Sequence, residues 1–169
     1  KSTTFINRLI LGLSKTRNNI YVVGRDDIKY KERIPDVQYL NIGFSYKAML
    51  NLLRCFIFLP IFRLFVIYLL IRRDRARFRI ELTKIYIKKY QPDVIHFQWP
   101  PSEKLLNSIP DDVSIILSLR GRLIKSAPIA FSKIKEKYIR TFPKIDRFHA
   151  VCESITKFVG QFDISRDKC

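Results

Sequence analysis

The run Gln91-Pro92-Asp93-Val94-Ile95-His96-Phe97-Gln98-Trp99-Pro100-Pro101 constrains this chain more than any other segment. A turn signal opens it, a short apolar burst follows, and polar and aromatic side chains close it before two prolines. Prolines cannot donate to a sheet ladder, so they bound the burst on either side. The pattern is that of a buried parallel strand whose carboxyl end delivers side chains to a cleft. Ligands of open α/β sheets bind outside the carboxyl ends of strands. His96, Gln98 and Trp99 are therefore candidates by position before they are candidates by chemistry.

The rest of the chain repeats this unit. Ser2, Thr3 and Thr4 precede Phe5, Ile6, Leu9, Ile10 and Leu13 at helical spacing. Residues 20–23 and 113–118 read as short buried strands, residues 37–42 as a weaker one, and residues 147–151 as another after the Pro143 turn. From Ile71 onward the pattern is an amphipathic helix. Ile71, Phe78, Leu82 and Ile85 fall on one face, and Arg73, Arg77, Glu81, Lys84 and Lys88 on another. Residues 102–108, 130–141 and 153–162 read as further helices, and Arg120-Gly121-Arg122 as the loop after the strand at 113–118. Strands alternating with helices predict an α/β fold: a Rossmann-like, doubly wound parallel sheet with helices on both faces. At 169 residues the length suits one domain spanning residues 1–169. Such folds begin with a central strand and this chain begins with a helix, so a strand before Lys1 is expected.

Several segments together resemble the family 4 glycosyltransferases. Thr4-Phe5-Ile6 is similar to the family's "ETFI" helix start, and Asn19-Ile20-Tyr21-Val22-Val23 to its "HEVxVV" strand. Pro92-Asp93-Val94-Ile95-His96 resembles "PDVIH", and Ser118-Leu119-Arg120-Gly121 resembles "SFRG" or "THG". The segment from Ile145 through Ser154 resembles "ADxxxAVSES". The five agree in order over nearly the whole chain. The resemblance implies the acceptor-binding N-terminal half of a GT-B enzyme, whose C-terminal half holds the nucleotide-sugar donor. It further implies transfer of a sugar to a lipid-linked or growing glycan in surface-polysaccharide synthesis, with retention and without a metal. Arg120 stands where many relatives carry a histidine. A guanidinium there suits a phosphate or carboxylate of the acceptor.

The candidate acceptor-binding residues are Thr3, Thr4, His96, Gln98, Trp99, Arg120, Gly121, Arg122, Glu153 and Ser154. Each has a structural alternative. His96 can be a packed strand-end histidine, Trp99 can pack on the prolines, and Thr3, Thr4, Glu153 and Ser154 can be helix caps. Gly121 is read as a position whose backbone conformation other residues resist. With two histidines, and three cysteines that lack metal-ligand spacing, no metal site and no resident cofactor are expected.

Net charge is +17, which calls for an anionic partner. Residues 48–71 are long enough to span a bilayer. Sixteen strong apolar residues there contribute about −7 kcal/mol, and Arg54 with Arg63 cancel most of it. Two readings remain, a helix pair packed in the core or a membrane-surface element, and the basic flank beside apolar aromatic residues favours the second. Phe56, Phe58, Phe62 and Phe65 would dip into lipid, with Arg72, Arg73, Arg75, Arg77 and Arg79 on the headgroups. This places the protein in the cytoplasm, peripheral on the inner face of the membrane. A nucleic-acid binder is the competing class. It lacks zinc spacing, an RNP-like aromatic motif and a helix-turn-helix, so no nucleic-acid partner is expected. A non-catalytic membrane-surface scaffold is the third reading.

Overall fold

The computed structural model describes residues 2–16, 18–24, 34–42, 74–150, 152–162 and 164–169. The apolar segment at 48–71, with its expected anchors Phe56, Phe58, Phe62 and Phe65 and the flanking Arg72 and Arg73, lies outside the described residues. The chain divides into two compact units, Lys1–Thr83 and Lys84–Cys169.

In the first unit, α1 spans Ser2–Ser14. Its apolar stripe buries Ile10, but Leu13, in the last turn, is exposed. Hydroxyl groups close the helix: Ser14 Oγ donates to the Leu11 carbonyl (3.0 Å), and Thr16 both N–H and Oγ1 to the Leu13 carbonyl. These bonds satisfy carbonyls that have no further turn to accept from. Strand β1 (Ile20–Gly24) pairs in parallel with β2 (Val37–Asn41), Ile20 opposite Val37 and Gly24 opposite Asn41. Asp36 precedes β2 at φ 62°, a left-handed turn position that Asp tolerates better than most residues. Tyr39 turns its hydroxyl back to accept from the Ile34 N–H at 3.2 Å.

Helix α2 (Arg75–Tyr90) carries the boundary between the units. Asp74 caps it: Oδ1 accepts from the Arg77 N–H at 3.0 Å. The expected stripe is present, with Phe78, Leu82 and Ile85 buried and Arg77 and Lys88 exposed. Tyr86 and Ile87 are buried as well. The helix stops at Gln91, which takes φ 41° directly before Pro92. A left-handed residue followed by proline ends a helix.

The second unit holds a three-stranded parallel sheet in the order β3-β4-β5. These strands are Val94–Phe97, Ser114–Leu119 and Arg147–Ala150. His96 is opposite Ile116, and Ser118 is opposite His149. Parallel neighbours need a crossover. The first carries α3 (Glu103–Leu106). The second carries α4 (Gly121–Lys125), α5 (Ala127–Ala130) and α6 (Ser132–Thr141). Helix α7 (Glu153–Val159) follows β5. The α/β class with parallel strands is as expected from the alternation. Among the described residues the strands form a two-stranded and a three-stranded parallel sheet, one in each unit.

The buried strand is β4, not β3. Ile115, Leu117 and Leu119 alternate into the core, with Leu117 wholly inaccessible. Among the described residues β3 pairs with β4 alone, and Val94 is exposed. Apolar content does not show how deeply a strand is buried. Asp146 fixes the register of β5 on β4 from both sides. Its carboxylate accepts from the Ile115 N–H (2.7 Å) and its own N–H donates to the Ile115 carbonyl (3.0 Å). Beneath the sheet Tyr138, Phe142, Phe148 and Phe162 form one aromatic cluster.

The helix expected at 130–141 begins two residues later. Pro128 sits in the first turn of α5, and Phe131 breaks the path in an extended conformation (φ −136°, ψ 104°). Gly121 also differs from expectation. It opens α4 rather than lying in a loop, no glycine among the described residues has positive φ, and a Cβ there would meet nothing within 4 Å. Its backbone does not require glycine.

Candidate functional site at the strand tips

Because β3, β4 and β5 run parallel, their carboxyl ends share one edge of the sheet, and the residues after each strand gather there. Gln98 and Trp99 follow β3, Arg120 follows β4, and Cys152, Glu153 and Ser154 follow β5.

Arg120 organises the first group. Its Nη2 donates to Gln98 Oε1 at 2.5 Å. Its guanidinium carbon lies 5.4 Å from the centroid of the Trp99 ring. A cation over an indole face is held by the ring quadrupole. Gln98 thus aims the arginine and Trp99 supports it. Partial burial lowers the guanidinium pKa from its ordinary value, and an arginine remains charged at any working pH. Trp99 itself is half exposed, so its ring offers area to a ligand.

Behind this group lies a polar relay. Ser118 Oγ is 2.9 Å from His96 Nε2 and 3.3 Å from His149 Nδ1. The two imidazoles meet edge to face, with centroids 5.9 Å apart. A hydroxyl carries one proton and two lone pairs, so Ser118 donates to at most one ring and the tautomers of the two histidines set the roles. Ser118 is buried, and the two histidines satisfy it. The relay fixes the tips of three strands to one another.

Burial pushes the His96 pKa below its usual 6.5, and the nearby charges of His149 and Arg120 push it the same way. The groups facing His96 are Ser118 from β4, His149 from β5 and Arg120 after β4. A folded-state pKa below the unfolded value means that the unfolded chain takes up the proton first. Stability is then lost as pH falls below about 6.5. Urea midpoints should fall between pH 7.5 and 5.5, and His96→Gln should flatten that part of the profile. An unchanged slope in the variant would show that other groups set it.

A narrow slit beside Arg120 is lined by Pro100, Ser118, Leu119, Arg120, Ile124 and Tyr138, with about 10 Å³ of free volume, the room of roughly one water. It is too small for a sugar, so the usable surface is the open face of Trp99 and Arg120. Helix α6 borders the same place. Lys137 Nζ donates to the Pro100 carbonyl at 3.3 Å, and burial lowers this ammonium from its usual 10.5. Burial raises the Tyr138 phenol above its usual 10.0.

At the third strand tip, Lys125 Nζ donates to Ser154 Oγ at 3.1 Å, and Cys152 Sγ lies 3.2 Å from the same oxygen. Ser154 thus links α4 to the start of α7, which is a structural use. Glu153 is an exposed acid in the first turn of α7. Thr3 and Thr4 lie in the first turn of α1, in the other unit. Arg122 lies within α4. The structure therefore groups His96, Gln98, Trp99 and Arg120. Ser118 and His149 join them without having been singled out from the sequence. Their signal was registry: each sits on a strand beside one already suspected. Among the described residues no group of three or more His, Cys, Asp or Glu side chains could hold a metal ion. No helix among them is long and apolar enough to cross a membrane.

Compared with family models, curated proteins and solved structures, the chain matches none of them.

Proposed function

We propose that this chain is the acceptor-binding half of a GT-B glycosyltransferase, peripheral on the cytoplasmic face of a membrane. The enzyme would move a sugar from a nucleotide-sugar to a lipid-linked or growing surface glycan. One observation carries the reading: parallel strands bring Gln98, Trp99 and Arg120 together at their carboxyl edge, with the guanidinium tied to Gln98 at 2.5 Å and lying over the indole. An exposed indole face suits a pyranose ring, and an oriented guanidinium beside it suits a phosphate or carboxylate. The five ordered sequence resemblances support the same reading. Retention and independence from metal come from the resemblance alone. The donor and most of the groups that would stabilise the departing diphosphate belong to the partner half of such an enzyme.

The test is calorimetric titration of the chain with a short-chain lipid-diphosphate sugar, against the same lipid diphosphate without sugar and the free sugar. The proposal expects the conjugate to bind tighter than either part. Equal affinity for the conjugate and the lipid diphosphate would remove the sugar from the reading, and no binding of any of the three would end it.

A further inference from the structure

The shoulder formed by α5 and α6 combines two features that a surface facing only water does not need. Ile129 is 77% exposed, Phe131 59% and Ile139 52%. Between residues 121 and 141 there are six basic residues (Arg122, Lys125, Lys133, Lys135, Lys137 and Arg140) and one acid, Glu136.

Helical geometry sorts them. Tyr138 and Thr141 turn inward. Ser132, Lys133, Lys135, Glu136, Ile139 and Arg140 occupy the exposed arc. Ile139 lies on the same side as Lys135 and Glu136, four and three positions before it. Ile129 and Phe131 project at the amino end of that arc, where the extended Phe131 separates the two helices. Arg140 is held by Glu103 at 3.2 Å in an exposed pair, while Lys133 and Lys135 are exposed beside Phe131.

We infer that the α5–α6 shoulder docks on an anionic lipid bilayer, with Ile129 and Phe131 entering the acyl boundary and Lys133 and Lys135 on the headgroups. Charge complementarity selects this occupant. A second copy of a chain carrying +17 would be repelled by the same face. A nucleic acid would use the lysines but gain nothing from exposed isoleucines, which neither stack nor hydrogen-bond. A bilayer interface uses both. The shoulder shares no residue with the apolar and basic run at 56–79. The inference rests on the acceptor-binding reading for its purpose only, since α6 also touches the site loop through Lys137 and Pro100 and would hold it close to a lipid-linked acceptor.

The experiment is co-sedimentation of the 169-residue chain with vesicles of mixed phosphatidylglycerol and phosphatidylcholine, and with phosphatidylcholine alone. Binding is expected to the anionic vesicles only and to weaken with salt. The double substitution I129S/F131S should weaken it more than about tenfold. K133Q/K135Q should weaken it by about fivefold for each charge removed. R75Q/R77Q/R79Q on α2, outside the shoulder, should weaken it less per charge than K133Q/K135Q does.

As a second measurement, Phe131→Trp in a Trp99→Phe background should shift its emission to the blue on adding anionic vesicles. The inference is overturned if neither α5–α6 variant differs from the parent, if the α2 variant alone abolishes binding, or if the emission of the Phe131→Trp variant does not move. It is also overturned if the chain ignores vesicles and binds duplex DNA through Lys133 and Lys135. The sugar titration is independent: vesicle binding without any sugar response removes the acceptor reading alone, and a sugar response without vesicle binding removes this inference and the membrane location while leaving the acceptor reading.

Discussion

Phe142→Ala is expected to remove about 3–5 kcal/mol from the stability of the unit Lys84–Cys169, a large fraction of the roughly 5–15 kcal/mol that holds a domain folded. Phe142 is 1% exposed and touches three other rings. It stacks on Tyr138 (4.6 Å between centroids, planes 13° apart) and meets Phe148 (5.3 Å) and Phe162 (5.2 Å) edge to face. Those partners come from α6, from β5 and from the turn after α7, so one ring ties together three separate elements of the last third of the chain. Alanine would open a cavity among rings that cannot all move inward, and would forfeit aromatic contacts worth about 0.5–1.5 kcal/mol each. Phe142→Leu keeps most of the volume and should cost clearly less. Phe131→Ala is the internal control. It deletes the same side chain from an exposed site, and should change stability by no more than about 0.5 kcal/mol. Urea unfolding followed by circular dichroism checks all three. Equal midpoints for Phe142→Ala and Phe131→Ala would mean that the ring cluster does not hold the unit together.

Local patterns carried the elements that local forces determine. The Pro92-Asp93 turn and the apolar burst after it located β3, and the Phe78, Leu82 and Ile85 spacing located the inward face of α2. The carboxyl-end rule placed Gln98, Trp99 and Arg120 at one edge before any distance was known, because it depends only on parallel pairing. What stayed hidden depends on neighbours far along the chain. Ser118 reads as an ordinary strand residue until registry sets it between His96 and His149. Depth of burial cannot be told from apolar content, so β3 read as buried although Val94 is exposed. The hydroxyl of Ser154 has the spacing of a cap, but a lysine from α4 reaches it first. Gly121 looked like a conformational requirement because a glycine after a strand often is one. In the folded chain it opens a helix with open space at its Cβ position.

Arg120→Ala is expected to weaken binding of a lipid-diphosphate sugar by about 10–100-fold, the loss that follows from removing a charge-assisted hydrogen bond of about 1.5–3 kcal/mol. The direction follows from how Arg120 is built into the site. Gln98 accepts from one of its terminal nitrogens, the guanidinium carbon lies over the Trp99 ring, and the group is partly withdrawn from water. An arginine restrained in this way loses less freedom when it takes up a ligand. Arg120→Lys should recover little, since an ammonium lacks the planar fork of donors that can bond Gln98 and a planar anion together. Gln98→Ala leaves the charge but frees its direction, so a smaller loss is expected, several-fold rather than a hundredfold. Trp99→Phe keeps a ring with a weaker quadrupole and should fall between the parent and Trp99→Ala. The discriminating comparison is between ligands. Arg120→Ala should damage binding of the diphosphate conjugate far more than that of a neutral sugar, whereas Trp99→Ala should damage both. If Arg120→Ala binds the conjugate as the parent does while its urea midpoint falls, the guanidinium is a structural clamp between two strand tips, and the acceptor must be held elsewhere.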